Sequence, residues 1–329
     1  MNDMALAGMA TSGSPPVLVE QSGGLAGSTA LIVLGMHRSG TSALAGALGR
    51  LGLSLPAPDD LVSGRYDNPV HNESRALTDV DDAMLELLGG TWSAPPRLSP
   101  GWARSPALAA LTERARKAAA VAFPRPGPVA WKDPRLCLLL PWWREALPPP
   151  IVTVYLWRSP LSVARSLQSR QGFSPSLGLA LWDRYNRDAL TALAGHDVYI
   201  LRYEELLRDP RASVHAVARW IQAGGRVPMI VDDARLEEAA STVSARLARQ
   251  EGAGELPPVV DGAVATLTRL DGINEPLDHV DISEAPPWMV DVIALRRDYE
   301  DIYARYMRYV RWRRRIPFLG RRARADDDP

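Results

Sequence analysis

Four apolar residues run directly into a polar turn bounded by two glycines, and that turn opens into an alanine- and leucine-rich stretch. The strand candidate is Leu31-Ile32-Val33-Leu34, the turn is Gly35-Met36-His37-Arg38-Ser39-Gly40-Thr41-Ser42, and the helix candidate continues through Leu48. A short apolar, partly β-branched run of this kind reads as a buried strand of a parallel sheet. Gly35 and Gly40 allow the backbone to curl so that successive amides point inward. A helix beginning near Gly40 adds the positive end of its dipole, and together these make an anion cradle. The spacing Gly-x4-Gly followed by Thr41 and Ser42 is close to the loop that binds nucleoside triphosphates, Gly-x4-Gly-Lys-Ser/Thr. The lysine after the second glycine is absent, however, and the cation is Arg38, two residues earlier. Small-residue turns between strand and helix are also common in α/β proteins without any ligand. The expectation is an anion-binding loop without the triphosphate lysine.

The rest of the chain alternates in the same way. Residues 1 to 28 are rich in Gly, Ser, Ala and Pro and predict a disordered lead-in. Leu51-Gly52-Leu53 is a candidate short strand, and 56–69 a loop. His71-Asn72-Glu73 leads a segment with apolar residues at Leu77, Val80, Met84, Leu87 and Leu88, the spacing of a helix stopped by Gly89-Gly90. A proline-rich stretch from Trp92 to Pro106 reads as a long loop, then 107–122 as a helix. Val129-Ala130-Trp131 is a short strand entering Lys132-Asp133-Pro134-Arg135, and 136–147 a helix. Ile151 to Trp157 is the clearest strand after the first. It ends at Arg158-Ser159-Pro160, where serine caps and proline opens a helix to about Gln171. A helix over 175–193, a strand over 197–201 and Arg202-Tyr203-Glu204-Glu205-Leu206 follow. Helices are expected after Pro210, over 232–249 and over 286–311, with 251–258 as a linker. Strands alternating with helices predict an α/β, P-loop-like three-layer fold: a central parallel sheet flanked by helices, with ligands outside the carboxyl ends of its strands.

At this point the chain resembles a family. The run His37-Arg38-Ser39-Gly40-Thr41-Ser42 is similar to the Pro/His-Arg/Lys-Ser-Gly-Thr-Thr/Ser loop of sulfotransferases that use 3′-phosphoadenosine 5′-phosphosulfate (PAPS). The resemblance covers roughly residues 30–210, and its layout looks like that of the bacterial members acting on carbohydrates and glycolipids. It implies that Gly35, His37, Arg38, Ser39, Gly40, Thr41 and Ser42 cradle the 5′ phosphosulfate, with Arg38 at the bridging oxygen. In that family a strand-end arginine and a serine eight residues on grip the 3′-phosphate, and Arg158 and Ser166 match them. Lys132 matches the lysine that neutralises the transferred sulfonate, while Arg202 to Leu206 resembles an architectural Tyr-Glu-Asp-Leu segment. The general base is left open among Asp67, His71 and Glu73. The first stands in Gly64-Arg65-Tyr66-Asp67, where related bacterial enzymes carry Gly-aromatic-aromatic-Glu. Aspartate there reaches one methylene less far.

Composition narrows the classes. A chain of 329 residues with 46% hydrophobic content supports a large core, and zero net charge argues against a nucleic-acid partner. Cys137 is the one cysteine and the five histidines are scattered, so the sequence offers no disulfide and no metal site. Of 38 basic residues only Lys117 and Lys132 are lysine, which draws attention to the second. Without a run long enough to span a bilayer or a secretory leader, the expectation is a cytoplasmic protein. The expected organisation is a sulfotransferase domain over 29–310 and a basic tail over 311–329. In that tail Trp312, Ile316, Phe318 and Leu319 are interleaved with arginines, a pattern suited to peripheral contact with the inner membrane face. The resemblance implies sulfonate transfer from PAPS, as co-substrate and with no metal, to the hydroxyl of a sugar, a glycolipid or another acceptor. Two other readings stand beside it. A P-loop small-molecule kinase would need a lysine at position 41 and an acidic strand end for magnesium. A non-catalytic nucleotide-binding protein would need only the loop.

Overall fold

The computed structural model describes residues 28–63, 70–147, 150–223, 231–243, 254–281 and 284–315, together with Leu25, Gly225, Val227 and Met229. In chain order the elements are β1 (Ala30–Leu34), α1 (Thr41–Arg50), β2 (Leu61–Ser63), β3 (Val70–Ser74), α2 (Arg75–Leu87), α3 (Ala109–Ala122) and β4 (Val129–Trp131). They continue with α4 (Leu136–Ala146), β5 (Ile151–Trp157), α5 (Pro160–Gln171), α6 (Pro175–Leu193), β6 (Val198–Arg202), α7 (Tyr203–Arg208) and α8 (Pro210–Ala223). The last are α9 (Asp233–Ser241), α10 (Pro258–Leu270), β7 (Gly272–Asn274) and α11 (Pro287–Arg315). Five strands form one sheet in the order β4-β1-β5-β6-β7. Its first four strands are parallel, and β7 closes one edge antiparallel to β6.

Every residue of β1 is buried. Because side chains alternate across a strand, Leu31 and Val33 join the core beneath α1, α8 and α9. Ile32 and Leu34 join the larger core with Trp131, Trp143, Tyr155 and Trp157 beneath α2, α3, α4 and α6. Both faces of the central strand are therefore covered, as the continuous apolar run predicts. Truncating such a residue to alanine costs about 2–5 kcal/mol. After β1 the chain crosses to β4 on one side of it and then to β5 on the other. This reversal opens a crevice at the carboxyl ends of β1, β4 and β5.

Several local expectations change. His71-Asn72-Glu73 does not begin a helix; it lies in β3, which pairs antiparallel with β2 through Leu61 and Ser74. The helix starts at Arg75, where the Ser74 hydroxyl accepts from the Leu77 amide at 3.0 Å. Leu51 and Gly52 form a turn rather than a strand, and the bridge to Val129 is made by Ser54. Ser159 occupies the cap position of α5 without a side-chain cap bond; its amide donates to Glu204 Oε1 at 3.1 Å instead. Helix α10 and strand β7 fall where no element was expected. Helix α11 runs on to Arg315, into the stretch read as a tail. The segments 1–24 and 316–329 lie outside the described residues, as does 244–250 of the helix expected over 232–249. Among the described residues no helix is long and apolar enough to cross a membrane.

Candidate active site

The crevice is a cleft of about 1210 Å³, and Arg38, Lys132, Arg158 and Ser166 all line it. The loop after β1 supplies its floor. Gly40 has φ 86°, a left-handed conformation, and a Cβ there would fall 2.2 Å from the Tyr203 ring. A Cβ on Gly35 would fall 2.2 Å from the Leu156 carbonyl oxygen. Both glycines are thus required by close approach, one to a side chain and one to backbone. Gly35 and Ser39 shape the turn without lining the cleft, whereas His37, Arg38, Gly40, Thr41 and Ser42 border it. Helix α1 has no side-chain cap at Gly40. Helix geometry leaves the Thr41 and Ser42 amides without intrahelical acceptors, so the positive helix end faces the cleft.

One cluster of cations gathers at the carboxyl ends of β1 and β5. Arg38, itself at φ 69°, donates from Nε to Ser166 Oγ at 2.8 Å. Arg158 donates from Nη1 to the Arg38 carbonyl at 3.0 Å and stacks its guanidinium 4.8 Å from the centre of the Tyr203 ring. Burial pulls the Arg158 pKa below the usual arginine value, with Tyr203 and Glu204 opposing it. Two arginines from the loops after β1 and β5 and a serine from within α5 are brought together here.

A second cluster lies at the end of β4. Lys132 forms an ion pair with Glu73 of β3, and their side chains are only 3% and 12% exposed. His71, two residues earlier, also lines the cleft. Burial lowers its pKa and Glu73 raises it in part, with Lys132, Arg170 and Arg38 adding to the lowering. The imidazole is therefore neutral near pH 7. Strand β3 is fastened to α1: Ser42 Oγ donates to the His71 carbonyl at 3.0 Å, and Asn72 Nδ2 donates to the Ser42 carbonyl at 2.9 Å. The neighbours of Lys132 have a different task. Asp133 accepts from Thr78 Oγ1 at 3.0 Å and pairs with Arg135, which also holds Asp82, so this turn is locked to α2. Asp67 lies outside the described residues.

Three features escaped the sequence reading. Trp92, from the loop after α2, lies over the cleft with its ring centroid 4.5 Å from that of His37. Burial, with Arg135, Lys132 and Arg38 nearby, holds His37 well below the usual histidine value, and its Nε2 has no hydrogen-bond partner among the described residues. Tyr203, read as architectural, props Arg158 and closes against Gly40. The pairing of Glu73 with Lys132 spans 59 residues and left no local sequence signal.

No family model matches the chain, and no curated protein sequence matches it. Solved structures similar to it include a sulfotransferase domain from the curacin biosynthetic pathway, at 15% identity over 72% of this chain and 96% of that one, with a TM-score of 0.42. Another is the sulfotransferase domain of the Synechococcus olefin synthase, at 19% identity over 81% and 93%, with a TM-score of 0.38. A third is sulfotransferase STF1 of Mycobacterium tuberculosis, at 17% identity over 73% and 77%, with a TM-score of 0.42.

Proposed function

We propose that this chain is a PAPS-dependent sulfotransferase, transferring a sulfonate group to an acceptor hydroxyl of a carbohydrate or glycolipid. The observation that carries the reading is the meeting of Arg38, Arg158, Ser166 and Lys132 in one cleft above an uncapped helix end. The residues fit a doubly anionic nucleotide: two cation clusters flank the uncapped start of α1, and His37 Nε2 is left without a partner among the described residues. PAPS supplies an activated sulfonate at its 5′ end, whose transfer leaves adenosine 3′,5′-bisphosphate.

The roles follow from the two clusters. Arg158, Ser166 and, through its bond to Ser166, Arg38 form the 3′-phosphate grip, which moves Arg38 from the bridging-oxygen role that the loop alone suggested. The Thr41 and Ser42 amides at the end of α1 hold the 5′ phosphate. Lys132 is the cation beside the transferred group, where growing charge needs a fixed donor. Glu73, already within reach of Lys132, accepts the proton of the acceptor hydroxyl once the lysine turns to the sulfonate. His71 lines the cleft beside it as a neutral neighbour. The ATP-kinase reading has no lysine at position 41, where threonine stands.

The test is calorimetric titration of the protein with adenosine 3′,5′-bisphosphate, followed by mass-spectrometric screening of sugars, glycolipids and phenols with PAPS. Saturable binding and a sulfated product are expected. Absence of nucleotide binding would overturn the proposal. Binding without transfer to any acceptor would favour the non-catalytic reading.

A further inference from the structure

Helix α11 carries a second pattern, unrelated to the cleft. Its first half is anchored: Met289 and Ile293 are buried, Arg297 donates to the Pro95 carbonyl, and Glu300 accepts from Thr91 at 2.8 Å and Ser93 at 2.6 Å. From Asp301 the helix leaves the body, and residues 301–306 are all exposed. Fifteen residues of unsupported helix are marginal in water by themselves. Yet on the side away from the body an apolar residue recurs at alternating steps of four and three: Leu295, Tyr299, Ile302, Tyr306 and Tyr309. That is the seam of a two-stranded coiled coil, with Tyr299 and Tyr306 at one core position and Leu295, Ile302 and Tyr309 at the other. Leu295 is 66% exposed, Ile302 65% and Tyr306 58%, large values for core-type residues.

We propose that this face is the interface with a second copy of the chain, formed by antiparallel pairing of the two α11 helices about a twofold axis between Glu300 and Asp301. Antiparallel seams pair one core position with the other. In this register Tyr299 meets the second copy's Ile302 and Leu295 meets its Tyr306, each pair occurring twice. The flanking positions then bring Asp298 opposite Arg305 on both sides of the axis. The axis falls where the helix leaves the body, so the protruding half of each copy covers the outward face of the other's anchored half. Charge selects this direction. Residues 287–300 carry three acids and two arginines, whereas 301–315 carry one acid and six arginines. Antiparallel pairing lays the basic half on the acidic one, whereas parallel pairing would lay it on itself. The contact is isologous and closes as a dimer.

Sedimentation velocity of the full chain across a concentration series tests this. A dimer is expected, and Ile302→Glu, which buries a charge at the central layer, should weaken it by about tenfold or more while circular dichroism still shows a folded body. Arg305→Asp should weaken the dimer, and Asp298→Arg with Arg305→Asp should restore it. Under mild oxidation, Leu295→Cys with Tyr306→Cys should yield a disulfide-linked dimer, since the two positions are too far apart within one helix to join. Leu295→Cys alone should not link. A monomer at every concentration, linking by Leu295→Cys alone, or a dimer indifferent to Ile302→Glu would each overturn the proposal. So would a monomer that co-sediments with anionic phosphatidylserine vesicles through this stripe, which would assign it to a membrane surface.

Discussion

Arg38 Nε and Ser166 Oγ, 128 residues apart in the chain, are joined by a hydrogen bond of 2.8 Å across the mouth of the cleft. The bond ties the loop after β1 to α5, and Arg158 completes the link by holding the Arg38 carbonyl. Three elements therefore present their polar groups as one preformed surface. Preorganisation of this kind lowers the ordering cost of binding a charged ligand.

Arg158 should dominate nucleotide affinity. A hydrogen bond to a charged group contributes about 1.5–3 kcal/mol, so Arg158→Ala should weaken adenosine 3′,5′-bisphosphate binding roughly 10- to 150-fold. Ser166→Ala, which removes a neutral hydroxyl, should cost about tenfold or less. Titration calorimetry on the two variants gives the comparison, and equal affinities to wild type would remove the 3′-phosphate assignment.

Glu73 and His71 separate by kinetics. Glu73→Gln keeps the size of the side chain and should lower kcat by about 10²- to 10⁴-fold while nucleotide binding survives. His71→Ala should lower it by less. The reverse order would move the proton to His71, and no loss in either would place the base elsewhere.

Gly40→Ala combines two penalties. A left-handed conformation costs an ordinary residue about 1–2 kcal/mol, and the added methyl meets the Tyr203 ring. Tyr203 in turn supports Arg158, so the variant should melt lower and bind nucleotide more weakly at once. Unchanged melting with unchanged binding would contradict the close packing at this turn.

Histidine burial sets a sign for pH. His37 is held well below its usual 6.5 in the folded chain by burial and by Arg135, Lys132 and Arg38. Between the two values the unfolded chain binds more protons, so stability rises with pH. The contribution is complete above 6.5 and is lost as pH falls toward the folded value. His71 acts in the same direction. Lowering the pH from about 7 to about 5 should reduce the melting temperature of wild type more than that of His37→Phe.

The strand–turn–helix units were legible because they are local. The apolar run of β1 dictates burial on both faces, Gly35 and Gly40 dictate the turn, and Arg158 and Ser166 share one strand-to-helix unit. The strand β3 was not legible, since helical spacing beyond Leu77 masked a short hairpin whose pairing depends on Leu61. Nor was β7, three residues at a sheet edge with Ile273 exposed. The exposed seam of α11 was readable as helix, but its orientation away from the body was not.

By itself the sequence determined which segments are strands ending in cations, because chain direction and alternation place those residues at carboxyl ends. The tertiary structure alone decided that Lys132 faces Glu73, that Arg38 turns to Ser166 and that Trp92 covers His37. Those contacts join residues dozens of positions apart, and only the order of strands in the sheet brings them within bonding distance.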